Sequence, residues 1–279
     1  MTVPPQALPR SADRIGDRFV TLDALRGLIM VLMAIDHASY FVGKRHPGEF
    51  WGLDLPRYAD VLSFLTRWLT HFCAPGFFFL MGAGMLLFAA SRRRAGWSER
   101  RITSFFLTRG ALLILLQLMV ENPAWLLGLL GDRMPMTAPP GGGGDVLFHF
   151  GVLYGLGANM IVFALLMRSG AALVALVSFG SILATQWVTP SATEAGTLYS
   201  PLLRILLIPG QTGLMQSFYP LIPWLAPTGF GVLFGGLLNR EGRRAFRYAL
   251  PAGAVSLGLF LLLRWAGGSG ISTERPTPA

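Results

Sequence analysis

Long apolar runs separated by clusters of arginine constrain this chain more than any other feature. The runs cover about Leu22–Val42, Leu62–Ala90, Ile102–Val120, Val146–Met167, Ala171–Trp187, Phe218–Leu238 and Tyr248–Trp265. A bilayer core about 30 Å thick takes about 20 residues of helix. In hydrocarbon, a backbone satisfies its polar groups only within helices or a closed barrel. The expected fold is therefore all-α: a polytopic membrane helix bundle of about seven transmembrane helices. Residues 1–18 form a polar N-terminal tail, 19–266 the membrane domain, and 267–279 a flexible tail. The first segment is too polar for a signal-peptide core and the run after it too long, so no cleavage is expected.

Charge supports this class. Charged residues make up 13% of the chain, against about 25% in soluble domains, and the mean hydropathy is +0.53. A net charge of +9 would suggest nucleic acid in a soluble protein. Here the arginines fall between apolar runs, where they hold loops in the cytoplasm and meet anionic lipid. Membrane lipids are the expected partners and nucleic acid is not; a homo-oligomer is left open. The single cysteine, Cys73, allows no internal disulfide and reads as a packing residue.

The positive-inside rule sets an orientation. With a cytoplasmic N-terminus, the inner segments carry Arg10, Arg14, Arg18, Arg92–Arg94, Arg100, Arg101, Arg168, Arg240, Arg243, Arg244 and Arg247. The outer segments and tail carry Lys44, Arg45, Arg57, Arg133, Arg204 and Arg275. Thirteen against six favours this threading, which brings His37, His46, His71 and His149 to the outer side.

Several breaks are expected. Thr21 is a candidate N-cap for the first helix. Span two is long, so it tilts, kinks at Pro75 or begins as an interfacial segment. Pro123 ends span three and leaves a short interfacial piece, Trp125–Leu130. Pro139–Gly144 is a flexible loop by composition. Residues Val188–Gln216 form an external segment with an amphipathic helix at Leu202–Ile208, and prolines 220, 223 and 227 break span six. The pairs Gly151/Gly155 and Gly231/Gly235 have the small-xxx-small spacing of close helix contacts.

Ionisable residues inside the runs are the candidate site. Asp23 and Arg26 share a helix face and can pair; they anchor the helix or contact an anionic cofactor. Asp36 and His37 are adjacent, so they point to different partners. Asp36 could orient His71 or His149 from a neighbouring helix, leaving the other ring nitrogen as a general base. The bland alternative is a satisfied interhelical network. Pro75 frees the carbonyl of His71, and Arg67 sits one turn before it. His46 lies in the first outer loop, where an ordinary exposed histidine is equally expected. Arg109 lies about 10 Å inside span three, where it snorkels or binds phosphate. No metal-ligand spacing is present, and no metal is expected.

The stretch from Arg18 through Asp23, Arg26, Gly27 and Asp36 to His37 resembles the start of the heparan-α-glucosaminide N-acetyltransferase-like catalytic domain family. Leu65–Gly82, and Tyr219-Pro220 through Pro223-Trp224 with Gly229 and Gly231, resemble its bacterial branch. The likeness covers about residues 18–265. It implies a membrane acyltransferase taking acetyl from acetyl-CoA, or another acyl group from an acyl-CoA, through a histidine. The acceptor is a hydroxyl or amino group of a sugar or envelope component, and the location a bacterial cytoplasmic (inner) membrane. By position after the first span, His46 is nearest the family's histidine; His37 and His71 stand in the bacterial motifs. Relatives usually continue through several more spans. The expected catalytic residues are thus His71, Asp36, His37 and His46, with Arg26 and Arg109 as donor contacts. The rival class is a proton-coupled small-molecule transporter or channel, using proline-broken helices around Asp36 and the histidines.

Overall fold

The computed structural model describes residues 19–43, 58, 60–130, 146–188 and 200–265. Helix α1, Val20–His37, continues into a π-helical turn, Ala38–Val42. Its N-cap is Phe19, without a side-chain bond, rather than Thr21, which lies inside the first turn. The second apolar run divides into α2, Val61–Thr70, and α3, Cys73–Arg94. The break falls at His71–Phe72, so Pro75 lies in the first turn of α3, where a missing amide hydrogen is least costly. Asp60 caps α2 by accepting from the Ser63 amide at 2.8 Å.

Helix α4, Glu99–Leu116, does not stop at Pro123. A π-helical turn, Gln117–Glu121, carries it into α5, Asn122–Leu130. Widening just ahead of the proline keeps its ring off an α-helical carbonyl four residues back.

The fourth run also differs from expectation. Its first residues form a strand, β1, Phe148–Phe150, and α6 starts at Val152 and ends at Leu166. Helix α7, Ala171–Val188, follows the tight turn at Gly170, whose φ of +94° favours glycine. The amphipathic segment is a single short helix, α8, Pro201–Leu206. After it, β2, Gly210–Thr212, and β3, Met215–Ser217, form a hairpin. The sheet order is β1-β3-β2, with β1 parallel to β3 and His149 opposite Gln216. A small sheet therefore interrupts the all-helical architecture.

Helix α9, Leu221–Glu241, remains continuous through Pro223 and Pro227. A 3-10 segment, Gly242–Tyr248, joins it to α10, Ala249–Trp265. Among the described residues, four helical stretches are long and apolar enough to cross a membrane: Val61–Arg94, Glu99–Ala124, Ala171–Val188 and Leu221–Leu263. Helix α6 is apolar but shorter, and α1 carries Asp23, Arg26 and Asp36 within its length. The molecule is a multi-span helical bundle.

Glycine lets the central helices touch. A Cβ on Gly82 of α3 would lie 2.0 Å from the Thr228 carbonyl of α9, and one on Gly231 2.0 Å from that of Phe79. Gly235 meets Ala83 in the same seam, so the Gly231/Gly235 pair does serve helix packing. Gly110 and Gly157 do the same for α4 and α6. Gly151 and Gly155 instead face Glu121 and Gln117, and Phe78 and Tyr219, respectively. Around the seam, Met85, Ile102, Phe106, Phe163, Val174 and Val232 form one buried cluster. Leu22, Ile29, Cys73, Leu80 and Leu238 form another under α1. Large apolar side chains such as Leu183, Trp187 and Leu250 stay exposed on the flanks, as a lipid environment allows.

The basic segments meet at one end of the bundle. Arg93 at the end of α3 is bound by Glu99 at the start of α4, with Nη2 2.9 Å from Oε2. Arg94 donates to Asn239 Oδ1 of α9 at 2.9 Å.

Candidate active site

Helices α1 and α2 meet through charge. Arg67 Nη1 lies 2.7 Å from Asp36 Oδ1, and the Thr70 hydroxyl donates to the same oxygen at 2.7 Å. Thr70 is buried, and its hydroxyl also stands 3.0 Å from the Arg67 carbonyl. The spacing Arg67-x-x-Thr70 puts both donors on one face of α2. Asp36, the penultimate residue of α1, supplies the acceptor.

Both histidines beside this pair are held by backbone carbonyls. His71 Nδ1 is 2.7 Å from the Arg67 carbonyl, and His37 Nδ1 is 2.9 Å from that of Met33. A carbonyl cannot donate, so Nδ1 carries the hydrogen in each ring. The lone pair of the neutral ring then sits on Nε2. That is the tautomer a general base needs. These are ordinary i−4 carbonyl bonds at the ends of α2 and α1.

A cavity of about 200 Å³ opens at the ion pair, lined by Asp36, Ser39, Tyr58, Asp60, Leu62, Ser63, Thr66, Arg67 and Thr70. Hydroxyls and carboxylates dominate its wall. His37 and His71 each neighbour a lining residue in sequence but are not among them. Sequence reasoning missed Tyr58, Asp60 and Thr66, which lie just before α2 or on it. The Asp60-x-x-Ser63 cap spacing was the one local signal available.

His149 has a different role. It is buried in β1, its ring is hydrogen-bonded to Gln216, and it lies edge-on to Phe218. Burial holds its pKa down at about 4, opposed in part by the Gln216 bond. Its amide donates to Asn122 Oδ1 at 2.8 Å, and its carbonyl accepts from Gln117 Nε2 at 3.1 Å. Asn122 Nδ2 in turn donates to the Leu147 carbonyl at 2.9 Å. The π turn after α4 thus clasps β1, and His149 belongs to that clasp rather than to the cavity's rim.

Tyr219 lies just ahead of α9. Its ring tilts against Trp224 and stacks on Phe78, with Gly155 close beside it. Burial pushes its hydroxyl up to about 12, and the Asp36 and Glu121 carboxylates add to the rise against Arg67. Asp36, Arg67, Glu121 and Tyr219 therefore share one electrostatic neighbourhood.

The two arginines expected to contact a donor stand apart. Arg26 pairs with Asp23 at 3.3 Å on α1, as their spacing predicts. Arg109 is exposed on α4 with its guanidinium 4.4 Å from the Phe105 centroid. His46 lies outside the described residues. Among the described residues, no group of three or more histidine, cysteine or acidic side chains is placed to hold a metal ion.

Neither curated proteins nor solved structures include a match to this chain. The family model described as heparan-alpha-glucosaminide N-acetyltransferase, catalytic, matches residues 18–266. The chain belongs to that family, whose membership carries a membrane-embedded, acyltransferase-type function.

Proposed function

We propose that this protein moves an acyl group from acetyl-CoA or another acyl-CoA to a hydroxyl or amino group of a sugar or envelope-associated acceptor. The observation that carries the reading is the Asp36–Arg67–Thr70 constellation beside His37 and His71, in a chain of an acyltransferase family. The bundle would cross a bacterial inner membrane seven times. Its N-terminus and arginine clusters would be cytoplasmic, as the charge bias favours.

In this reading His71 Nε2 takes the proton from the acceptor O–H or N–H. The acceptor lone pair bonds to the thioester carbonyl carbon and the carbon–sulfur bond breaks. The departing thiolate receives the proton from the imidazolium. Asp36 favours the transient imidazolium by its charge, while Arg67 and Thr70 hold that carboxylate in place. The cavity of about 200 Å³ would receive the acceptor. His37 and His46 are competing bases, and Arg26 is the candidate contact for donor phosphates.

Purified protein in detergent, given radiolabelled acetyl-CoA and envelope sugar or lipid acceptors, tests this directly. Label moving to an acceptor, and lost in His71→Ala, supports it. A second reading, proton-coupled transport, draws on the helix break at His71–Phe72 beside the ion pair. Proton-driven uptake in proteoliposomes, with no label transfer to any acceptor, would select that alternative.

A further inference from the structure

A second groove lies away from the ion pair, on the outward face of α4. It encloses about 610 Å³ and is lined by Trp97, Ser98, Arg100, Arg101, Ser104, Phe105, Thr108 and Arg109. Three of these residues are cationic and none is acidic. Glu99, the acid in the first turn of α4, is engaged by Arg93 instead.

Its chemistry repeats every four residues. Arg101 lies 4.0 Å from the Trp97 ring, and Arg109 4.4 Å from the Phe105 ring. Phe105 is itself stacked on Phe88 of α3 at 4.6 Å. Side chains on a helix lean toward its N-terminus, so Arg109 projects back toward Arg101 and the basic end of the bundle. The aromatic rings fix both guanidinium groups without neutralising them. The exposed Ser104 and Thr108 lie between them.

Beyond Arg109 the same helix carries exposed Leu112, Leu115 and Met119. Arg101 to Arg109 spans about 12 Å, and Leu112 to Met119 about 10 Å more. The α4 surface is thus cationic and hydroxylated at the basic end and apolar farther along. A soluble phosphate would use the first half alone. A ligand with a phosphodiester and long chains fits both halves.

We propose that the α4 groove is a binding site for an anionic phospholipid. Its phosphodiester is held by Arg101, Arg109 and Arg100, and its chains lie along Leu112, Leu115 and Met119. This goes beyond the acyl-transfer reading and does not depend on it.

Native mass spectrometry and thermal melting of the full chain in detergent test the assignment, with phosphatidylglycerol and phosphatidylcholine as probes. Phosphatidylglycerol should be retained and raise the melting temperature; phosphatidylcholine should do neither. Each arginine near an anionic headgroup contributes roughly a fivefold change in affinity. Arg101→Gln with Arg109→Gln should therefore weaken phosphatidylglycerol binding about twenty-five-fold. Arg101→Gln alone, a milder change near the helix start, should weaken it about fivefold. Equal retention of the two lipids, or unchanged binding in the single variant, overturns the proposal. So does tighter, variant-sensitive binding of inorganic phosphate or coenzyme A, which would make the groove a site for a soluble phosphoanion. Acyl transfer measured on the same preparations reports separately on the catalytic reading.

Discussion

Arg67 reaches from α2 to Asp36 of α1 with 2.7 Å between Nη1 and Oδ1, the two side chains being 16% and 22% exposed. This contact ties the first helix to the broken second run and sets the charge at the cavity. Removing one partner leaves the other ion partly buried and uncompensated. Asp36→Asn should lower stability by about 2 kcal/mol, below the range for fully buried pairs because both groups retain some solvent. Adding Arg67→Met should recover much of that loss while acyl transfer stays absent. Thermal melting of the single and double variants in detergent measures it; strictly additive losses would mean the pair is not coupled.

His71→Ala should lower kcat about a hundredfold or more, the usual range for a general base. The KM for the acyl donor should change little, because the ring is not a donor contact. His37→Ala and His46→Ala are expected to stay within severalfold of the parent. Should His46→Ala alone silence transfer, the chemistry belongs to the first loop and not to the end of α2.

The buried His149 makes stability depend on pH. Its pKa is about 4 in the folded protein, against an ordinary value of 6.5. Below pH 6.5 the unfolded chain binds the proton more readily, so stability falls as pH drops from about 6.5 to about 4. At full protonation the loss is roughly 3 kcal/mol. His149→Gln should flatten this part of a melting-temperature profile. A histidine variant that retained the full acid sensitivity would place its origin elsewhere.

The glycine seam predicts a sharp contrast within α3. Gly82→Ala puts a methyl 2.0 Å from the Thr228 backbone oxygen, so α3 and α9 must separate. A loss of about 3 kcal/mol or more is expected, at or beyond the upper range for overpacking. Gly84→Ala meets nothing within 4 Å and should be neutral, or stabilise by up to about 1 kcal/mol through helix propensity. Comparable melting temperatures for the two variants would contradict the close approach.

The proposed orientation can be read with cysteines introduced after replacing Cys73, the single cysteine. Positions within Arg92–Arg94 and Arg240–Arg244 should resist an impermeant thiol reagent added outside intact cells. Ready labelling at Arg240–Arg244 would invert the charge-based threading.

The apolar runs determined by themselves that this chain is a multi-span helical protein. Hydrocarbon leaves the backbone no other way to satisfy its amides, and that rule acts locally. The spacing of Asp23 and Arg26 foretold their pairing for the same reason, since neighbours one turn apart share a face. The Gly231/Gly235 spacing likewise marked a helix contact. Partnership across elements was decided only by tertiary structure. Asp36 meets Arg67 and Thr70 because α1 and α2 cross at that level. His149 is drawn into a three-stranded sheet because β1 finds its pair in β3, almost seventy residues later. No local pattern encodes that pairing. Pro123 and Pro227 show the converse: a proline reads as a stop from propensity alone. A π turn before one, and the packing of α9 on α3 and α7 around the other, let the helix continue. The alignment of Trp97, Arg101, Phe105 and Arg109 was written in the sequence at intervals of four. Only the fold, by packing the opposite side of α4 onto α6, decided that this face would remain open.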